Sequence, residues 1–378
     1  MISYWEQTQF LNYDFIIVGS GITGLSCTAE IKEQYPTAKV LVLEIGLLPT
    51  GASTKNAGFA CFGTLTEMVY DISVMGEANL LKLVQDRIAG LQILRNRLGD
   101  DKIEYINNGG YELIIEKHNH DELPTQLEHL NKLLFPLFKQ DVFLFDDLVA
   151  DDFGFDKQLV KRVIRNPLEG QINTGKMMQA LIEHVTKLGV HIITGAEVLD
   201  IVDKENFVTV SAKGLQQEIV EFTCKKAAIC TNAFTKKLFP TLTISPGRGQ
   251  VLVTKPIDNL KIKGTFSFDE GFYYFRNIDN RIIFGGGRNL AFEEETTTVF
   301  EINTRIQDEL KRLLKTLILP NTPFEIDYEW CGIMAFGEDK LPIIQKQSKN
   351  VVVGARLNGM GVALGSKIAK DVVSLLGA

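Results

Sequence analysis

Asp14-Phe15-Ile16-Ile17-Val18-Gly19-Ser20-Gly21-Ile22-Thr23-Gly24 is an apolar run that feeds directly into three glycines, and a second run, Val40-Leu41-Val42-Leu43, ends on Glu44, twenty residues past Gly24. Strand, glycine turn, helix, strand and acid in this order make a dinucleotide-binding βαβ unit. The first glycine permits the tight turn. The second lets a backbone approach a pyrophosphate whose charge rests on the helix N-terminus, and the third lets helix and strand pack closely. Glu44 can accept hydrogen bonds from a ribose hydroxyl pair, and an acid there disfavours a 2′-phosphate, which points to FAD or NAD over NADP. A glycine turn in an ordinary βαβ unit leaves that acid unexplained.

The rest of the chain bounds what can surround this unit. At 378 residues two domains are expected. A net charge of −7 with no long basic run argues against nucleic acid as a partner. Cys27, Cys61, Cys224, Cys230 and Cys331 form no C-x-x-C pair, which suits a reducing compartment. Residues 1–7 lack the basic and apolar regions of a secretory signal, and no apolar run reaches the eighteen residues of a membrane span. The stretch 365–376, with Lys367, Lys370 and Asp371, reads as an amphipathic helix on a domain surface. A cytoplasmic protein without membrane contact is expected.

Periodicity sets the remaining elements. Leu80, Leu83, Val84, Ile88, Leu91, Leu94 and Leu98 recur at three and four and predict a helix over 77–98. A strand at 109–115, a helix over 121–134 and a strand at 142–145 follow, then a helix over 174–188 stopped by Gly189 and a strand at 190–193. Short strands are expected at 208–211, 218–223 and 226–230, and an antiparallel sheet over 251–284 with Asp279-Asn280 at a turn. A helix over 300–317, a strand at 351–353 and a glycine-rich stretch over 354–365 that opens the last helix complete the chain. The nucleotide-binding pieces therefore lie at the start, middle and end, with two insertions between them.

That interrupted layout resembles the D-amino acid oxidase, glycine oxidase and sarcosine oxidase family of FAD-dependent oxidoreductases. Five motifs carry the resemblance: 19–44, Gly51-Ala52-Ser53 with Asn56-Ala57-Gly58, Pro246-Gly247-Arg248-Gly249-Gln250, Trp330-x-Gly332 with Leu341-Pro342, and Gly359-x-Gly361. The resemblance implies an α/β plus α+β fold. A doubly wound, Rossmann-like FAD-binding domain (1–62, 172–238 and 328–378) is interwoven with a substrate domain (63–171 and 239–327) built on a large mixed β-sheet. It implies Gly19, Gly21 and Gly24 at the pyrophosphate, with Ile22 and Thr23 beside them, Glu44 at the adenosine ribose and the Val198 backbone at the adenine. Ser53, Thr54, Lys55, Asn56 and Ala57 then line the flavin, with Cys331 and Gly332, and Asn358, Gly359, Met360, Gly361 and Val362 lie near the pyrimidine end of the ring. Lys55 stands where many relatives have Arg, so a bidentate contact is lost there.

The implied reaction removes a hydride from the carbon bearing an amine, in an amino acid or secondary amine, and delivers it to flavin N5; the imine then hydrolyses. Alternatives are a 2-hydroxy acid or polyol dehydrogenase, and a flavin-binding subunit of a larger electron-transfer complex. The absence of a well-placed histidine base favours amines. Direct use of oxygen is in doubt, because the strand Arg281-Ile282-Ile283-Phe284 lacks the lysine some relatives carry there.

Individual residues divide between site and scaffold. Tyr273 and Tyr274 point to opposite faces of one strand, so only one can face the pocket. Arg288 and Arg356 are the candidates for gripping a carboxylate, since arginine presents a planar fork matched to it. Arg248 is expected to be structural at the domain crossing, and Arg276 to face solvent. Glu293-Glu294-Glu295 reads as an exposed face. His118-Asn119-His120-Asp121-Glu122 reads as a solvated loop without metal, lacking i, i+4 spacing. Cys331 falls, by alignment on the tryptophan–glycine motif, where monomeric sarcosine oxidases attach FAD through sulfur; packing against the ring edge is the favoured role.

Overall fold

The computed structural model describes residues 3–115, 121–214 and 216–377. Two large sheets organise it. In the first, the order is Ile343–Lys346, Val351–Ala355, Ile219–Ile229, Asn12–Val18, Val40–Leu43, His191–Ile193. All but the first of these strands run parallel. Val40–Leu43 is buried along its whole length, as a parallel strand covered on both faces must be. Asn12–Val18 divides its side chains by parity. Phe15 and Ile17 join the helices Ile22–Gln34, Leu65–Leu98 and Gly361–Leu376, while Ile16 and Val18 pack on the opposite side with Ile333 and Ala335.

The second, mixed sheet has the order Ile326–Phe336, Ser245–Thr254, Arg281–Gly286, Tyr273–Ile278, Thr265–Phe268, Gly110–Ile115, Val160–Asn166, Leu144–Phe145. Thr265–Phe268 runs parallel to Gly110–Ile115, and every other pair is antiparallel. One face carries Phe266, Phe268, Tyr273, Phe275 and Phe284 against Ile306, Leu310, Leu314 and Leu317 of the covering helix. The other face roofs a cavity. A single cross-strand row along it reads Ile164, Glu112, Ser267, Tyr274, Gly285, Val251, Trp330. The turn between the two central strands is Asp279-Asn280, with φ of 47° and 56°, the left-handed pair a two-residue hairpin needs.

Several expectations change. The helix read over 77–98 begins at Leu65, where Thr64 and Glu67 form a capping box, and two helical stretches meet at Gly76 (φ 78°, ψ 161°). Strands 218–223 and 226–230 are one strand, Ile219–Ile229; its first half pairs with the Val208–Lys213 hairpin and its second with the parallel core. Of 142–145 only Leu144–Phe145 is a strand, because Asn131 Oδ1 accepts from the Val142 and Phe143 amides at 2.9 and 2.8 Å. Residues 330–332 lie within Ile326–Phe336, so the boundary expected at 328 falls inside a roof strand. The last helix is no surface helix: it is wedged against Ile22–Gln34 and Leu65–Leu98, burying Val362, Leu364, Ile368, Val372 and Val373. His118 and His120 lie outside the described residues. No helix among the described residues is long and apolar enough to cross a membrane.

Candidate functional site

The glycine turn opens the helix Ile22–Gln34. Gly19 takes φ 97°, and its missing Cβ avoids the Cys230 carbonyl. The first intrahelical bond runs from Leu25 N to Gly21 O at 3.0 Å, so the amides of Ile22, Thr23 and Gly24 have no helical partner. Ser53 Oγ takes the Ile22 amide at 2.9 Å, and Thr23 Oγ1 is buried without any partner among the described residues. This helix end therefore presents donors and positive potential to a neighbouring anion. Glu44 caps the next strand: its Oε2 accepts from Ser20 N (2.9 Å) and Ser20 Oγ (2.8 Å), and its Oε1 from Gly46 N (3.0 Å).

From this end a cavity of about 1280 Å³ runs between the two sheets. That is larger than the 300–1,000 Å³ or so of an ordinary small-ligand pocket. Its wall brings together Gly19, Gly21, Ile22, Thr23, Glu44, Ser53, Lys55, Asn56, Ala57, Val198, Cys331, Gly332 and the turn from Asn358 to Val362, pieces spread over nearly the whole chain. At that last turn Leu364 N bonds Met360 O at 2.9 Å, which leaves a second helix N-terminus facing the cavity. Length, two helix ends and the orphaned Thr23 hydroxyl fit an extended dinucleotide. Two expected contacts are absent from the wall. Gly24 lies behind it, where any Cβ would overlap Gly19 O, so its role is packing. Thr54 turns its hydroxyl to Pro49 O at 2.7 Å.

The tyrosine pair resolves by parity. Tyr273 stacks on Phe268 at 4.9 Å in the core, and burial pushes its hydroxyl up to about 12. Tyr274 faces the cavity, edge-on to Phe59 at 5.7 Å, and burial likewise pushes it up to about 12, so it stays a neutral donor. Its hydroxyl makes no hydrogen bond among the described residues.

The arginines separate in the same way. Arg248 is buried in a two-point pair with Glu295 (2.9 and 2.7 Å), which also corrects the exposed reading of Glu295, fully enclosed here. Arg356 is not on the cavity wall: it bonds Asp339 Oδ1 at 2.8 Å and Leu341 O at 2.9 Å. Arg276, expected in solvent, is 2% exposed. It bonds the carbonyls of Ala57, Ile172 (3.0 Å) and Asn277 (3.1 Å), and burial lowers it to about 10. It staples the roof to the loop that lines the cavity. Arg288 alone remains available. Its guanidinium lies 4.4 Å from the Phe336 ring and 5.1 Å from Phe292, lines the cavity, and makes no hydrogen bond or ion pair among the described residues. Burial lowers its pKa, with Glu295 opposing.

Cys331 is buried on the wall, and desolvation raises its thiol despite Arg248 and Lys55 nearby. Missed by sequence reading are Glu67, Glu112, Glu169, Ser267 and Lys340, all on the wall. The available signal was Glu112 in the run Tyr111-Glu112-Leu113-Ile114-Ile115, an acid inside an otherwise apolar strand.

Known proteins agree with this geometry. The profile of the family described as FAD dependent oxidoreductase matches residues 14–375. Among solved structures, glycine oxidase from Geobacillus kaustophilus superposes with a TM-score of 0.77 at 18% identity, covering 97% of this chain and 95% of that one. L-Proline dehydrogenase from P. horikoshii gives 0.76 at 16% identity, covering 97% and 93%. Iminodiacetate oxidase from Chelativorans sp. BNC1 gives 0.72 at 14% identity, covering 96% and 95%. No curated protein matches the sequence. With the family profile spanning all but the two ends of the chain and the cavity built for an extended dinucleotide, the protein belongs to the FAD dependent oxidoreductase family and is an enzyme whose cofactor is FAD.

Proposed function

We propose that the enzyme oxidises the C–N bond of an amino acid or a secondary amine that bears a carboxylate. The observation that carries this reading is Arg288, a guanidinium on the cavity wall within 4.4 Å of the Phe336 ring and 5.1 Å of Phe292, with no hydrogen bond or ion pair among the described residues. A half-buried cation whose Nε is enclosed without a partner gains from a ligand anion that completes it, and the planar fork suits a carboxylate. The names of the three structural neighbours, glycine oxidase, L-proline dehydrogenase and iminodiacetate oxidase, each denote an amine that carries a carboxylate.

FAD, when bound, supplies the two-electron acceptor for the hydride leaving the amine-bearing carbon. Gly19, Gly21, Ile22 and Thr23 would hold its pyrophosphate, Glu44 its ribose and Val198 its adenine; Ser53, Lys55, Asn56, Ala57, Cys331, Gly332 and the Asn358–Val362 turn would surround the flavin end. Arg288 fixes the substrate carboxylate and Tyr274 donates its hydroxyl proton to a substrate oxygen. The roof sheet excludes water, which strengthens both contacts. Anaerobic bleaching of the flavin absorbance by amino acids, amines and 2-hydroxy acids tests the reading. Reduction by amino acids or secondary amines supports it. Reduction by 2-hydroxy acids alone refutes it.

A further inference from the structure

The cavity has an arm that hydride transfer does not use. Along the roof register it runs from Tyr274 past Ser267 to Glu112. With neighbouring strands about 4.8 Å apart, the Glu112 backbone lies about 10 Å from that of Tyr274. A second carboxyl, Glu169, enters across Gly110, where any side chain would overlap it. Both acids are enclosed, at 3% and 5% exposure.

Two further acids and two cations surround them. Lys340 Nζ bridges Glu67 at 2.6 Å and Asp71 at 2.8 Å, and burial of its charge is outweighed by these two carboxylates. Arg87 lies alongside, bonded to Phe62 O. Glu67 and Asp71 thus share Lys340; Arg87, whose Nε and Nη2 have no partner among the described residues, pulls on Glu169 through space, yet neither Glu112 nor Glu169 is in contact with a cation among the described residues. Glu112 is held by Thr66 N at 3.2 Å and the Thr66 hydroxyl, and Glu169 Oε1 by the amides of Phe62 (2.6 Å) and Gly63 (3.2 Å). Burial pushes them up to about 7 and about 8, so each keeps its proton through much of the neutral range. The wall is also incomplete in a second way. Asn166, 4% exposed beside them, gives Oδ1 to Leu168 N at 3.1 Å, while its Nδ2 has no partner among the described residues.

We propose that this arm is a substrate subsite for a cationic group, an ammonium or guanidinium remote from the oxidised carbon, with Glu112 and Glu169 as its counter-ions. The proposal rests on the functional reading above and narrows it to substrates with a second, protonated nitrogen. The ligand charge favours both carboxylates over their acids, so binding releases protons to solvent. An oxygen of the occupant, or a water bound with it, meets Asn166 Nδ2.

The test compares isosteric pairs on the holoenzyme: lysine against 2-aminoheptanoate, and ornithine against norleucine. The charged member of at least one pair is expected to be favoured by about tenfold or more in kcat/KM, chiefly through KM, because the neutral one leaves buried acids unanswered. The preference should rise between pH 6 and pH 9. Glu112→Gln and Glu169→Gln should each bring the ratio to within a few-fold of one, with FAD content and circular dichroism retained as the check on folding. Equal use of both members, or a preference that survives both substitutions, overturns the subsite. If both pairs fail while small neutral amino acids bleach the flavin, the subsite is wrong and the functional reading stands. If no amine or amino acid bleaches it, the functional reading itself has failed and the subsite with it.

Discussion

Glu112 makes the acid arm measurable before any substrate is known. Glu112→Gln preserves the shape of the side chain and removes its titration. In the unfolded chain the carboxyl loses its proton near 4.5; in the fold, burial holds it to about 7. The folded pKa is the raised one, so the contribution to stability is fully present below pH 4.5 and is lost as pH rises to about 7. At about 1.36 kcal/mol per pH unit, the interval corresponds to a loss of about 3 kcal/mol. The group is 3% exposed, so solvent screening takes little from that figure. The glutamine variant has no such loss.

The quantity to measure is therefore the stability of the variant minus that of the native enzyme, by urea unfolding at saturating FAD from pH 5 to pH 8. Any fixed cost of exchanging acid for amide appears equally at both ends, and Glu169 titrates in both proteins. The difference is expected to move in the variant's favour by about 2–3 kcal/mol across that range. A difference that stays flat, or one in which the variant loses ground as pH rises, refutes the reasoning. Either would mean that Glu112 is ionised in the fold and already has its cation, which would remove the vacancy on which the subsite depends.

Replacing Arg288 by Met is expected to raise KM for a carboxylate substrate by about 10- to 1000-fold, about 1.5–4 kcal/mol for a lost charge-assisted pair, with FAD content unchanged; steady-state kinetics that match the native enzyme rule out the clamp. Glu44→Ala should weaken FAD binding by about 1–3 kcal/mol, read by flavin fluorescence titration of the apoprotein, and equal affinity would remove Glu44 from the ribose. Acid precipitation should release the yellow colour to the supernatant, since burial raises the Cys331 thiol and a thioether needs the thiolate; colour that stays with the pellet, and is lost in Cys331→Ala, would establish the covalent link.

What was legible in the sequence follows from where the physics is local. Gly19 and Gly24 are dictated by their own backbone and by one adjacent carbonyl, so the nucleotide unit could be read from thirty-odd residues. The period-two pattern over 251–284 separated Tyr273 from Tyr274, but alternation says only that a strand has two environments. It does not say that neither is water. Alternation alone therefore does not place Arg276: one roof face packs on phenylalanines and the other closes over the cavity and its lining loop. The last helix was misplaced in the same way: Lys367, Lys370 and Asp371 mark one edge, while the rest lies between two helices that arrive from far along the chain.

The same geometry turns the charged residues of the roof into information about the ligand. Where the sheet faces the core or the cavity, an ionisable side chain must find a partner within the fold or wait for one to arrive. Arg248 has Glu295, and Arg276 is used by three carbonyls. Arg288 near one end of the roof has neither, and Glu112, three strands away from the strand that precedes Arg288, has only the Thr66 amide and hydroxyl and no cation. With strands about 4.8 Å apart, roughly 15 Å separates Glu112 from the strand Arg281–Gly286 that leads to Arg288. The two groups therefore enter the cavity from different strands, so one small head group does not answer both unless it lies between their side chains. On the proposed reading, the carboxylate that answers Arg288 and the cation that answers Glu112 belong to different ends of one substrate, and the pairing of the two variants in the kinetic tests above decides it.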